Sequence, residues 1–316
     1  MYVYRIANHA IKLDIPEKYI FENFDAFRTD DEVNPELVVS IHVNEYSHEY
    51  VIKYFQENTN HRLYFTNYML VLKTISGYRI FYPEMQYVLF VDIDINSWLC
   101  DIHTTTEKNV YQVSSCGGNC GSCLTACDNT LEPTQTANQI FYIIRDIFLL
   151  YTQTQGAIAV HSSSLLYRDR AYLFIAPSGT GKTTHTDMWE KLYRVTILDG
   201  DVVMLSIEDG RAYAYGLPWC GTSQKYQNKR VELGGIFVLE RANKNEICEL
   251  SGYEGVLALA ARNFSPSWTK EYTDMNFNYA EMIISKAYIV KLKCMPNEES
   301  TQVVKKYIDT KYLQFC

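Results

Sequence analysis

The sequence predicts an α/β protein in which a β-rich N-terminal lobe precedes a C-terminal α/β core. Three observations lead there. Residues 1–113 are rich in β-branched and aromatic runs with stretches of period-two alternation. Residues 114–135 are dominated by Ser, Gly, Cys and Asn, a loop composition. Residues 136–316 alternate apolar runs with segments of helical periodicity. Charge changes at the same place: residues 1–135 carry 9 Lys/Arg and 18 Asp/Glu, and residues 136–316 carry 20 and 19. The expected organisation is a lobe at 1–113, a linker at 114–135 and a core at 136–316.

In chain order, residues 37–43 and 88–95 predict strands, and residues 62–82 predict two more about Ser76-Gly77. No catalytic constellation is visible in this half, so a lobe for substrate binding or dimer contact is expected. Residues 137–155 predict one long helix, because Ile140, Phe141, Ile144, Ile147, Phe148 and Tyr151 recur at helical spacing before Gly156. Residues 157–160 predict a short strand delivering His161, and Arg168-Asp169-Arg170 a turn into a strand at 171–175. Residues 183–192 contain neither Gly nor Pro and predict a helix. Residues 195–198 predict a strand delivering Asp199 and Asp201, followed by a hairpin about Asp209-Gly210 and a strand at 235–239. Asn297 predicts the cap of a final helix with Val303, Val304, Tyr307 and Ile308 on one face.

With 316 residues, 47% of them hydrophobic, the chain can bury a large core. A net charge of −8, concentrated in the N-terminal half, argues against binding nucleic acid or an anionic membrane. No uncharged apolar run approaches the ~18 residues that a membrane helix needs. The first residues lack a basic region followed by an apolar one, so no secretory signal is expected. Nine cysteines at irregular spacing predict reduced thiols and a cytoplasmic location.

Residues 176–184, Ala-Pro-Ser-Gly-Thr-Gly-Lys-Thr-Thr, fit a phosphate loop between a strand and a helix. The residue types suit the task. Gly179 and Gly181 let backbone N–H groups turn toward phosphate oxygens, and the helix directs its positive end at the same anion. The predicted nucleotide contacts are Ser178, Gly179, Thr180, Gly181, Lys182, Thr183 and Thr184, with Lys182 reaching the β- and γ-phosphates and the Thr183 hydroxyl on Mg²⁺. An acidic group at a neighbouring strand end is the second requirement. Leu198-Asp199-Gly200-Asp201-Val202 supplies two carboxylates on one side of an extended segment, although the same residues also suit a simple Asp-Gly turn. His161, about 20 residues before Lys182, is a further candidate. Lys225, Lys229 and Arg230 in the loop 216–235 can neutralise a transferred phosphoryl group or form a solvated face.

These pieces, in this order from His161 to Glu240, resemble the kinase core of the HPr kinase/phosphorylase family. Its relatives include peptide-tailoring kinases, and its fold is shared with ATP-dependent phosphoenolpyruvate carboxykinase. Residues 287–294 and the helix after them resemble the family's C-terminal end. The resemblance implies a phosphate-loop core with a mixed sheet, and transfer of the γ-phosphoryl group of ATP to a Ser or Thr hydroxyl of a peptide or small protein. It implies metal binding by Thr183 with Asp201, and an acid/base role for Asp199 or Asp201 with His161 nearby. Lys182 from the loop motif and Arg230 from the basic loop complete the expected catalytic set. It also implies a homo-oligomer. This chain departs from the family where Gly200 separates two aspartates that are usually adjacent. It also lacks the loop by which the bifunctional enzymes recognise their protein partner. A nucleotide-binding module without turnover and a small-molecule kinase are the alternatives.

Cys116, Cys120, Cys123 and Cys127 follow a C-x3-C-x2-C-x3-C pattern. The first three share the spacing that radical enzymes use for an iron–sulfur cluster, and four thiols can hold zinc. A reduced loop is the simpler reading.

Overall fold

The computed structural model describes residues 2–44, 48–66, 69–82, 85, 88–105, 111–113, 124–126 and 133–315. The four clustered cysteines, Cys116, Cys120, Cys123 and Cys127, lie outside them. The chain forms two compact units, Met1–Tyr151 and Thr152–Cys316.

The first unit contains β1 (Tyr2–Ile6), β2 (His9–Asp14), β3 (Arg28–Thr29), β4 (Leu37–Asn44), α1 (His48–Glu57), β5 (Arg62–Phe65), β6 (Leu70–Lys73), β7 (Gly77–Phe81), β8 (Val88–Asp94), β9 (Leu99–Thr105), β10 (Tyr111–Val113), β11 (Leu124–Ala126) and most of α2 (Pro133–Thr154). Among the described residues, nine strands form one sheet in the order β3-β1-β2-β4-β9-β8-β7-β6-β5, with β2–β4 and β4–β9 parallel. Residues 62–82 hold three strands rather than two, because the apolar run breaks where Thr66 N–H bonds the Met69 carbonyl at 2.8 Å. Ala7 and Asn8, both at positive φ, make the tight β1–β2 turn. Helix α2 buries Ile140, Ile144 and Ile147, and Phe141 stacks on Phe21 at 4.6 Å. This apolar stripe belongs to the first unit, so the division between units falls near the end of the helix.

The second unit comprises β12 (Ala157–Tyr167), β13 (Arg170–Ile175), α3 (Lys182–Tyr193), β14 (Thr196–Asp199), β15 (Val202–Glu208), β16 (Arg211–Gly216), β17 (Arg230–Arg241), β18 (Glu246–Glu249), α4 (Gly252–Ala260), α5 (Lys270–Ile284), β19 (Tyr288–Cys294) and α6 (Glu298–Phe315). Its sheet is mixed. β13, β17 and β19 run parallel side by side, and β12, β15 and β16 join them through antiparallel pairs. β12 and β17 extend well beyond the apolar runs that announce them. In β12 the extension is Ser162-Ser163-Ser164, which is fully buried yet satisfied: Ser163 Oγ meets Thr186 Oγ1 at 2.7 Å, and Ser164 Oγ bonds the Asp199 backbone at 3.0 Å.

Two apolar layers flank the parallel strands. On one face Ile158, Leu173, Ile175 and Ile236 pack with Leu259, Ala280 and Ile283 of α4 and α5. On the other Phe174, Phe237 and Val290 pack with Trp189 of α3 and with Val304 and Ile308 of α6. The final helix starts as its cap predicts, with the Asn297 side chain accepting from Ser300 N–H at 3.2 Å. Among the described residues no helix is long and apolar enough to cross a membrane.

Candidate active site

β13 ends at buried Ile175, and the chain turns through residues 176–181 into α3. Gly179 and Gly181 take φ of 74° and 116°, angles that an L side chain resists. Nothing lies within 4 Å of a Cβ built on either, so it is the backbone angle, and not crowding, that calls for glycine. No side chain caps α3, whose first residue is Lys182. Its leading N–H groups are therefore available to an anion. Arg241 holds the loop from outside, donating to the Gly179 carbonyl and, from Nε at 3.2 Å, to the Thr180 carbonyl. Lys182 is 8% exposed, and its Nζ donates to the Ala176 carbonyl at 3.2 Å. Thr183 and Thr184 are exposed on the first turn.

The two aspartates of the β14–β15 turn have different surroundings. Asp199 is completely buried. Its Oδ1 accepts from Asp201 N–H at 2.9 Å and Val202 N–H at 3.1 Å, and its Oδ2 accepts from Leu217 N–H at 3.0 Å. Burial pushes its carboxyl well above the usual range, and those three N–H groups pull it back. Asp201 is open, with 31% of its side chain exposed. Gly200 between them answers a close approach: a Cβ there would fall 1.9 Å from Ser223 Oγ. The loop after Leu217 thus closes over the turn, and Gly221 lies so near that its Cβ would touch the Asp201 carboxylate.

His161, where β12 passes β15, points its Nδ1 toward Asp201 Oδ1 at 3.7 Å, and its ring meets Phe264 edge-on at 5.1 Å. Burial lowers the affinity of His161 for a proton, the cations Lys182 and Arg262 lower it further, and Asp201 opposes them. Burial likewise lowers the Lys182 ammonium, with Asp201 opposing and Arg262 reinforcing. Lys182, Asp201, His161 and Arg262 are therefore within electrostatic range of one another. Sequence reasoning missed Arg262. It follows α4, some 80 residues after the loop, and is placed by its own backbone, whose carbonyl accepts from His161 N–H at 2.8 Å. Among the described residues its guanidinium has no ion-pair partner.

The structure does not bring the other predicted cations to this cluster. Arg230 bonds Glu208 at 2.8 Å and lies over the Tyr213 ring at 3.6 Å. Lys225 bonds Asp187 at 2.8 Å and Glu190 at 2.6 Å on the outer face of α3. Lys229 is exposed. Two cavities open onto the loop. One, of about 620 Å³, is lined by Ser178, Gly179, Thr180, Leu250, Glu254 and Leu257. The other, of about 350 Å³, is lined by Gly181, Thr184, Met188, Arg241, Met295 and Pro296.

No family model matches the chain, and no curated protein matches it. Among solved structures, the Hpr(Ser) kinase/phosphatase from Coxiella burnetii is similar over 50% of this chain and 97% of its own, with a TM-score of 0.30 and 10% identity.

Proposed function

We propose that the second unit is an ATP-dependent kinase that transfers the γ-phosphoryl group to a Ser or Thr hydroxyl of a peptide or small protein. One observation carries the reading: Lys182, at the start of an uncapped helix behind its glycine loop, lies within the electrostatic reach of Asp201 and Arg262, and Asp201 faces His161 at 3.7 Å. A structural Gly-rich turn would need none of those four side chains.

The open backbone at Gly179 and Gly181 and the exposed first turn of α3 fit a polyphosphate. The loop N–H groups and Lys182 take its negative charge, and Lys182 leaves the Ala176 carbonyl to do so. The cavities that open onto the loop give room for a nucleoside. Thr183 and the open carboxylate of Asp201 would hold Mg²⁺, which supplies charge neutralisation at the transferred group. Asp201 accepts the acceptor's hydroxyl proton, while Asp199 positions the turn. His161 and Arg262 set the field around Asp201 and, with Lys182, disperse the charge that develops in the transition state.

The test combines calorimetry of Mg-ATP binding with ADP release in the presence of Ser- and Thr-containing peptides. Saturable Mg-ATP binding and peptide-dependent ADP release are expected. Lys182→Ala should lower turnover by about a thousandfold, or about 4 kcal/mol. Near-normal turnover in that variant, or no uptake of Mg-ATP by the wild type, overturns the reading.

A further inference from the structure

The opposite ends of the strands that carry the phosphate loop enclose another cavity, of about 230 Å³. Its wall includes Arg168, Arg170, Tyr172, Glu232, Tyr288 and Lys311. The two tyrosines owe their places to a glycine pair. A Cβ on Gly234 would fall 2.5 Å from the Tyr172 ring and 2.9 Å from its hydroxyl, and a Cβ on Gly235 would fall 2.3 Å from the Tyr288 ring. Two adjacent glycines in a strand weaken it, so the room they leave is a feature that asks for an explanation.

The phenols they admit have no partners. Tyr172 is 3% exposed, and its hydroxyl makes no hydrogen bond among the described residues. Tyr288 Oη is fully buried and likewise lacks a partner. Native interiors leave few such groups, and an unpaired one marks a place where something else can bond. The charges around them point to what that is. Glu232 is already shared by Arg170 and Arg211, each at 3.3 Å. Arg168 bonds Asp309 at 2.7 Å. Lys311 lies 5.4 Å from the centre of the Tyr307 ring and has no ion-pair partner among the described residues. Arg170 and Arg168 both favour negative charge at the Tyr172 oxygen, against the burial that disfavours it. The wall thus offers phenol donors and three cations beside two carboxylates, Glu232, which is already paired, and Asp169 at the turn before β13.

We infer that this cavity binds a small phosphate-bearing anion, held by Lys311 and Arg170 and by the hydroxyl of Tyr172. Arginine, lysine and phenol donors converging from several elements suit a group with many acceptor oxygens. The volume excludes a nucleotide. The inference is independent of the kinase reading.

Calorimetry with inorganic phosphate on the Lys182→Ala variant tests it, because that variant is weakened at the phosphate loop. One phosphate per chain should bind, and Tyr172→Phe or Lys311→Met should each weaken it tenfold or more. Neither change should lower the melting temperature by more than a degree or two, since the hydroxyl has no hydrogen bond to lose and the ammonium only its contact with the Tyr307 ring. If Lys182→Ala does not fold, the wild type should take up one phosphate per chain more than Tyr172→Phe/Lys311→Met does. No saturable binding beyond the phosphate loop, or affinity unchanged in both variants, overturns the inference. Acetate binding as tightly as phosphate would overturn the assignment to phosphate.

Discussion

The β14–β15 turn has a buried end and an open end two residues apart, and the same side chain does opposite work in each. Asp199 is inaccessible and accepts three backbone N–H groups. Asp201 is partly open and lies 3.7 Å from His161. A fully buried carboxylate that accepts three main-chain N–H groups holds a loop in place and is out of reach of a metal or a substrate. One in partial contact with solvent, facing a histidine and within the field of a lysine, can serve either. Burial and hydrogen bonding, and not residue type, divide the roles.

The strongest way to break this contrast is Asp201→Asn. It keeps the shape of the side chain and removes the charge, so turnover should fall by about a thousandfold, or about 4 kcal/mol, while the melting temperature stays nearly constant. Single-turnover kinetics beside a thermal melt check both halves. An active Asp201→Asn would transfer the proton-accepting role elsewhere and end the distinction drawn between the two residues.

The complementary change is Asp199→Ala. Three buried N–H groups lose their acceptor, at about 1 kcal/mol or more each, so a loss of about 3 kcal/mol is expected. For a unit of this size that is a drop of roughly 10 °C in melting temperature. Calorimetric melting decides it. Activity should fall in step with folding, because the turn it releases also carries Asp201. A variant that melts like the wild type would mean that the loop after Leu217 holds the turn unaided.

Legibility in the sequence follows the same division. The phosphate loop was readable because glycine spacing, a preceding apolar strand and a following helix all sit within about 20 residues. The turn was readable as a carboxylate pair, but which carboxylate faces outward depends on Leu217 N–H and Ser164 Oγ, 18 and 35 residues away. Arg262 was invisible for the same reason: only the pairing of its backbone with His161 brings it near. The assignment of Arg230 to the phosphoryl group rested on composition alone, and Glu208 on the neighbouring hairpin pairs with it instead. Helix α4 was missed although Ser251-Gly252-Tyr253-Glu254 spells a capping box, and that box forms. Its two glycines obscured the signal. In the N-terminal lobe the strands at 37–43 and 88–95 were legible, but β1, β2 and β9 were not, and the sheet order was hidden because the parallel pairs β2–β4 and β4–β9 depend on long connections.

Two histidines near α3 repeat the contrast and sharpen it. His161 is partly open, whereas His185 is 2% exposed. Trp189 Nε1–H donates to His185 Nε2 at 3.2 Å, so Nδ1 carries the ring hydrogen toward Ser300 Oγ at 3.3 Å. Burial holds its affinity for a proton down to about 3. The unfolded chain binds that proton near pH 6.5, so the folded state is favoured above that value and loses stability as pH falls from about 6.5 toward 3. At pH 5 the loss from this residue should be about 2 kcal/mol. Melting temperatures at pH 7.5 and pH 5 should therefore converge in His185→Gln, which keeps an acceptor and a donor but does not titrate. An undiminished pH dependence in that variant would place the effect on other groups.

Lys225 gives the smallest effect and the cleanest control. Composition places it in a basic loop after the acidic turn, where it could face a phosphoryl group. The structure sets it on the outer face of α3, shared between Asp187 and Glu190, with 36% of its side chain exposed. Exposed pairs of this kind contribute about 0.5 kcal/mol. Lys225→Met should shift the melting temperature by no more than a degree or two and leave turnover within about twofold of the wild type. A hundredfold loss of kcat would show that the loop swings inward during turnover and takes Lys225 from its carboxylates to the transferred group. The open end of the turn would then extend further than Asp201.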